Sequence, residues 1–152
     1  MWLRGQRIPL TSVREFVYDE EKARVSHTDL YPGLMIEDYH SALAMGLLVA
    51  DCEYRICRAR DGSGECIVWF LDHSSRSWAR VDCIPGDETF EVNQLGPRQL
   101  WDELAAAYTW WVQAGSPTAE RWRFTVTPDG QQAGLHDTQL QTGAPHWLGA
   151  TL

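Results

Sequence analysis

The sequence predicts an α+β domain, an antiparallel meander sheet with one long amphipathic helix packed on it. Three observations carry that expectation. Four short runs rich in Val, Ile, Cys, Thr and aromatic residues follow one another between residues 52 and 95, each bounded by a turn signal. Their connections, RDGSG, HSSR and PGD, are short enough to favour antiparallel neighbours over crossovers. A helical repeat of apolar residues comes next, opened by Pro97 and closed by Gly115, the positions those residues favour at helix ends.

With 152 residues the chain is one domain of ordinary size, able to bury roughly 68–70% of the surface of its unfolded form. Three segments are expected along it: an irregular N-terminal stretch or linker remnant over 1–30, the α+β unit over 31–136, and a loose tail over 137–152. Residues 2–8 alternate weakly, as an edge strand or linker would, and VYDEEKARVSHTDLYPG is polar enough to read as irregular. SALAMGLL, 41–48, suits one or two helical turns under the core.

The strands are expected at 52–59, 65–72, 77–84 and 88–95. In ECIVWFLD both faces are apolar, Ile67, Trp69 and Leu71 against Cys66, Val68 and Phe70, which marks a central strand covered on both sides. Turning the helix 100° per residue gathers Leu100, Trp101, Leu104, Ala105, Tyr108, Trp111 and Val112 into one stripe and sends Trp110 to the opposite side, with Asp102 and Glu103. RWRFTVT at 121–127 alternates, with Trp122, Phe124 and Val126 inward and Arg121 and Arg123 outward. PDG then turns the chain into a short strand near 131–135.

Charge limits the partners. Residues 1–30 carry five basic and five acidic side chains, so the net charge of -8 resides in the remainder; such a surface repels a phosphate backbone, and no nucleic-acid partner is expected. No apolar run approaches a membrane span, and the N-terminus lacks the apolar core of a secretory signal, so the expected address is the cytoplasm. Cysteines 52, 57, 66 and 83 form no CxxC pair and read as reduced, mostly buried small hydrophobes, with no metal site expected.

Catalytic signals are weak. Asp61-Gly62-Ser63-Gly64 lies between two strands and reads as a hairpin turn, not a nucleotide cradle. The five histidines, at 27, 40, 73, 136 and 146, show no metal-binding spacing. Asp72 with His73, and Asp82 with Glu91, could supply carboxylates for acid/base work, but turn and strand-edge solvation explains them better.

The anomaly is aromatic: eight tryptophans in so short a chain. Trp69, Trp101, Trp111 and Trp122 fit inward positions, whereas Trp110 stands off the helix stripe and Trp78 shares a strand face with Arg80 and Asp82. Exposed tryptophan among polar groups marks an interface. Trp78, Arg80 and Trp110 are therefore the candidate partner contacts, with Arg121 and Arg123 as candidates for an acidic peptide.

Residues 77–131, SWARVDCIPGDETFEVNQLGPRQLWDELAAAYTWWVQAGSPTAERWRFTVTPDGQ, resemble the C-terminal region of actinobacterial protein-L-isoaspartate O-methyltransferase-like proteins, including those of ribosomal-peptide pathways. The elements that carry the likeness are SWxxVD followed by PG, the GPRxLWDE helix start, the tandem tryptophans and the TVTPDGQ turn; HSALAMGLLVADCEYRI and CIVWFLD extend it over most of 35–135. In that family the AdoMet chemistry belongs to an N-terminal domain that this chain does not contain, so the resemblance assigns no AdoMet-binding or catalytic residue here. Met1 falls near the point where the family's catalytic domain ends. The family continues its TPDGQ turn with an aromatic residue and a Leu-Asp pair, where this chain has Ala133, Gly134 and Leu135-His136.

The resemblance implies a non-catalytic accessory domain that docks on a methyltransferase domain or recognises its peptide substrate. The alternatives are a small free-standing enzyme using Asp72, His73 and Cys83, or a fragment without a partner.

Overall fold

The computed structural model describes residues 18–136. Its elements in chain order are strand β1 (Arg24–Thr28), the single-turn helix α1 (Gly33–Ile36), helix α2 (Tyr39–Leu48), strands β2 (Glu53–Arg58), β3 (Cys66–Asp72), β4 (Ser77–Cys83) and β5 (Phe90–Leu95), helix α3 (Leu100–Gln113), and the pair β6 (Trp122–Thr127) and β7 (Gly130–Leu135). The fold is α+β. Strands β2 to β5 form the expected antiparallel meander, and β1 adds to it beside β5, giving the order β1-β5-β4-β3-β2. Strands β6 and β7 pair only with each other, as a separate two-stranded ribbon.

β1 lies where an irregular segment was expected. RVSHT has no apolar face, and its one large hydrophobe, Val25, is exposed; the strand exists because its backbone pairs with β5 from Arg24 opposite Gln94 to Thr28 opposite Phe90. An ion pair between Arg24 and Asp102 ties its start to α3. The expected strand or linker at 2–8 and the tail at 137–152 lie outside the described residues.

Alternation along the strands gives the sheet two distinct faces. Val68, Phe70, Ala79, Val81 and Val92 point to one and pack with α1, α2 and α3 in the main core. Trp69, Leu71 and Trp78 point to the other and form a second cluster, joined by Tyr18 and Ala23. This is the two-sided burial that the doubly apolar β3 sequence foretold.

Helix ends follow local chemistry. Asp38 caps α2 by accepting from the Ser41 N–H at 2.9 Å, and Ser41, Ala44, Met45 and Leu48 face the core at helical spacing. α3 starts at Leu100, three residues after Pro97, and Gln99 gives it no side-chain cap. Buried Gln94 supplies the missing acceptor from the neighbouring strand, its Oε1 taking the Trp101 N–H at 2.8 Å, while its Nε2 donates to Asp102 at 3.0 Å. At the other end Ser116 N–H donates to the Trp111 carbonyl and Gly115 N–H to that of Val112. Gly115, with φ +87, occupies the left-handed position of this Schellman stop.

Candidate functional site

The outer face of the sheet carries two of the expected contacts. Trp78 was expected to be exposed; it is fully buried. Its ring lies 5.8 Å from that of Trp69, and its indole N–H donates to the Tyr18 carbonyl at 3.3 Å. The polar neighbours that suggested a wet face are themselves folded over the apolar one. Arg80 lays its guanidinium 5.7 Å above the Trp69 ring, a cation–π contact, and meets Asp82 at 3.0 and 3.1 Å. Glu20 and Glu91 approach the same guanidinium at 3.5 and 3.9 Å. Arg80 is thus neutralised by carboxylates of its own chain.

Trp110 is the second correction. The buried residues of α3 are Leu100, Trp101, Leu104, Ala107, Trp110 and Trp111, while Val112 is exposed, so the buried stripe is rotated by roughly 60° from the expected one at 100° per residue. Trp111 lies near its centre, donating its indole N–H to the Pro117 carbonyl at 3.1 Å. Trp110 lies at its margin, where Trp122 from β6 covers it with ring centroids 6.4 Å apart. Tandem tryptophans can both be buried because two different elements, sheet and ribbon, pack on one helix.

The ribbon places the remaining candidates. Only its base joins the core, through Trp122, Ala133 and Leu135. Phe124 and Val126 share the face of Trp122 by alternation; the first is 55% and the second 73% exposed, against the inward position expected for both. Arg121 and Arg123 are exposed as expected, Arg121 in the short 3-10 turn Ala119–Arg121 before β6 and Arg123 on the polar face of the ribbon, where its guanidinium contacts His136. The Trp122 indole N–H is buried with no acceptor among the described residues.

Asp72, His73 and Cys83 do not come together. Asp72 pairs with Ser77 at one end of the β3–β4 hairpin and Cys83 with Cys66 at the other, about 20 Å apart for six residues of strand. His73 sits in the turn with its side chain 59% exposed, 3.7 Å from Glu53. Burial pushes the Cys83 thiol up to about 12, with the Cys66 thiol adding to the effect, so it is protonated at neutral pH. Burial alone would raise the Asp72 carboxyl too, but hydrogen bonds from Ser74, Ser75 and Arg98 outweigh it and hold the group well below the usual carboxylate range.

That carboxylate is a structural knot. It accepts from the Ser74 N–H at 2.9 Å, the Ser75 hydroxyl at 2.5 Å and Arg98 Nη1 at 3.0 Å. Arg98 also donates to the Ala50 carbonyl at 2.9 Å and to Glu103 at 2.5 Å, tying the hairpin turn to the approach of β2 and the first turn of α3. GPRxLWDE signals only a helix start: Glu103 is five residues from Arg98, but Asp72 and Ala50 lie 26 and 48 residues away, beyond the reach of any local motif.

No group of three or more His, Cys, Asp or Glu side chains among the described residues is arranged to hold a metal ion, and no helix among them is long and apolar enough to cross a membrane. No protein-family model matches the chain, and neither a curated protein nor a solved structure does so.

Proposed function

We propose that the chain is a non-catalytic accessory domain that recognises a protein partner through the β6–β7 ribbon. The observation that carries this reading is the exposure of Phe124 and Val126 beside buried Trp122, with Arg121 and Arg123 on the same segment. A ribbon anchored at its base offers apolar side chains on one face, a cation on the other and backbone edges to an extended peptide, the ingredients of strand-addition recognition. Arginines favour carboxylates in such a peptide. The resemblance to isoaspartate-type carboxyl methyltransferases supplies the partner: the AdoMet-dependent catalytic domain, or the acidic peptide it would methylate. AdoMet itself would belong to that domain.

The corrected burial removes Trp78, Arg80 and Trp110 from the proposed contact surface and leaves Arg121 and Arg123, joined by Phe124 and Val126. A fluorescein-labelled peptide of alternating Asp and Val, followed by anisotropy, tests the reading. Wild-type protein is expected to bind it, whereas Phe124→Ser/Val126→Ser and Arg121→Glu/Arg123→Glu lose at least about tenfold in affinity, or about 1.4 kcal/mol. Both variants should keep their stability to within about 0.5 kcal/mol, as surface substitutions do. A peptide bound equally by wild type and both variants would exclude the ribbon.

A further inference from the structure

The turn Ala119–Arg121 that launches β6 begins without a cap of its own, because the Thr118 side chain makes no capping hydrogen bond. The Ala119 N–H donates instead to Nδ1 of His40, at 3.0 Å and 79 residues away in sequence, in the first turn of α2. A backbone N–H can only donate, so Nδ1 must present its lone pair and the ring must be neutral, with its proton on Nε2. We infer that His40 is a pH-sensitive latch fixing the base of the β6–β7 ribbon to α2. A protonated imidazole has two donors and no acceptor; the contact then sets donor against donor, and the latch opens. This holds whatever the ribbon binds.

The groups around the ring are compatible with such a device. On its own helix Tyr39 meets it edge-on at 5.5 Å, and Asp38 is engaged by the Ser41 N–H. α1 carries no charged residue, and Glu37 just beyond it pairs with Arg58. The charged side chains of α3 are Asp102 and Glu103, held by Arg24, Gln94 and Arg98, and its Tyr108 packs on Trp111. From the turn itself Glu120 interacts electrostatically with the ring; a hydrogen bond from Thr118 is the chief reason its carboxyl lies below the ordinary range. Glu120 therefore favours its ionised form and gives a charged ring a partner once Ala119 is released. The adjoining Arg121 is exposed and engages His136 through its backbone carbonyl. The latch is therefore closed while the imidazole is neutral and opens on acidification, when the ring gains a proton and Nδ1 no longer accepts.

Amide exchange at Ala119, read by NMR and corrected for the intrinsic pH dependence of exchange, tests the latch in wild type, His40→Asn and His40→Ala. In wild type the protection is expected to fall about fivefold or more on acidification, the worth of one ordinary hydrogen bond. His40→Asn places an amide oxygen near the position of Nδ1 and has no proton to gain, so protection should stay high and flat; His40→Ala should lack it throughout. Wild-type protection as flat as that of His40→Asn, or protection that survives in His40→Ala, would overturn the latch. If His40→Asn does not fold, the wild-type chain decides alone: the Nδ1 nitrogen shift of His40 must titrate together with the Ala119 amide shift, and independent titration overturns it.

Discussion

The indole rings of Trp110 and Trp122 meet at 6.4 Å with an interplanar angle of 52°, and this contact seats the β6–β7 ribbon on the margin of α3. Trp110→Ala is accordingly a core truncation. It should cost about 3–5 kcal/mol, measured as a lowered urea midpoint with an unchanged slope. A cost near zero would mean that the ribbon does not pack on α3.

The Asp72 knot predicts a specific acid limb. Its carboxyl lies lower in the folded chain than in the unfolded one, so its stabilisation is complete above the ordinary carboxylate value of about 3.9 and is lost as pH falls towards the depressed one. The stability gap between wild type and Asp72→Asn should therefore be constant near neutrality and narrow in strong acid. Arg98→Met, which strips a buried carboxylate of its charged donor, should cost about 1.5–3 kcal/mol at pH 7. Chemical denaturation across pH checks both.

Thiol chemistry separates the four cysteines. Burial pushes Cys52 and Cys83 up to about 12, which keeps both as thiols at pH 8. Cys57 is half-buried, while Cys52, Cys66 and Cys83 are buried. Iodoacetamide under native conditions should label Cys57 first, with the other three reacting only after unfolding, as peptide mass spectrometry will show. Rapid native labelling of Cys83 would revive a nucleophilic role for it.

Gly96 joins β5 to α3 at φ +115, and a Cβ there would stand 2.6 Å from the Ser77 Cα. Backbone conformation and space exclude a side chain together. Gly96→Ala should lose about 1–3 kcal/mol, seen as a fall in Tm, while Gly62→Ala meets no atom within 4 Å and carries conformational strain alone.

The sheet was legible because β-branched and aromatic runs between short turns can hardly fold otherwise, and β3 announced its two covered faces at every position but Ile67, which is exposed near the start of the strand. β1 was illegible because backbone pairing, which any sequence can make, creates it without an apolar face. Trp78 was misread since Arg80 and Asp82 look like solvent-facing neighbours until their mutual pairing and the Trp69 contact are seen. Trp110 was misread since a helical wheel assumes one partner surface, and the ribbon that supplies a second is encoded twelve residues later, at Trp122. Phe124 and Val126 alternate like a half-buried strand, but alternation cannot tell whether the sheet they belong to is long enough to be covered.

The place of β1 beside β5 also orders the assembly of the sheet in time. The hairpins from β2 to β5 close over a few residues each, whereas joining Thr28 to Phe90 must bring together positions about sixty apart, a slower search. The meander is therefore expected to form in the folding transition state and β1 to zip on afterwards. Until it does, the hydrogen-bonding edge of β5 is bare, open to any other extended chain, and the five residues RVSHT serve as its guard.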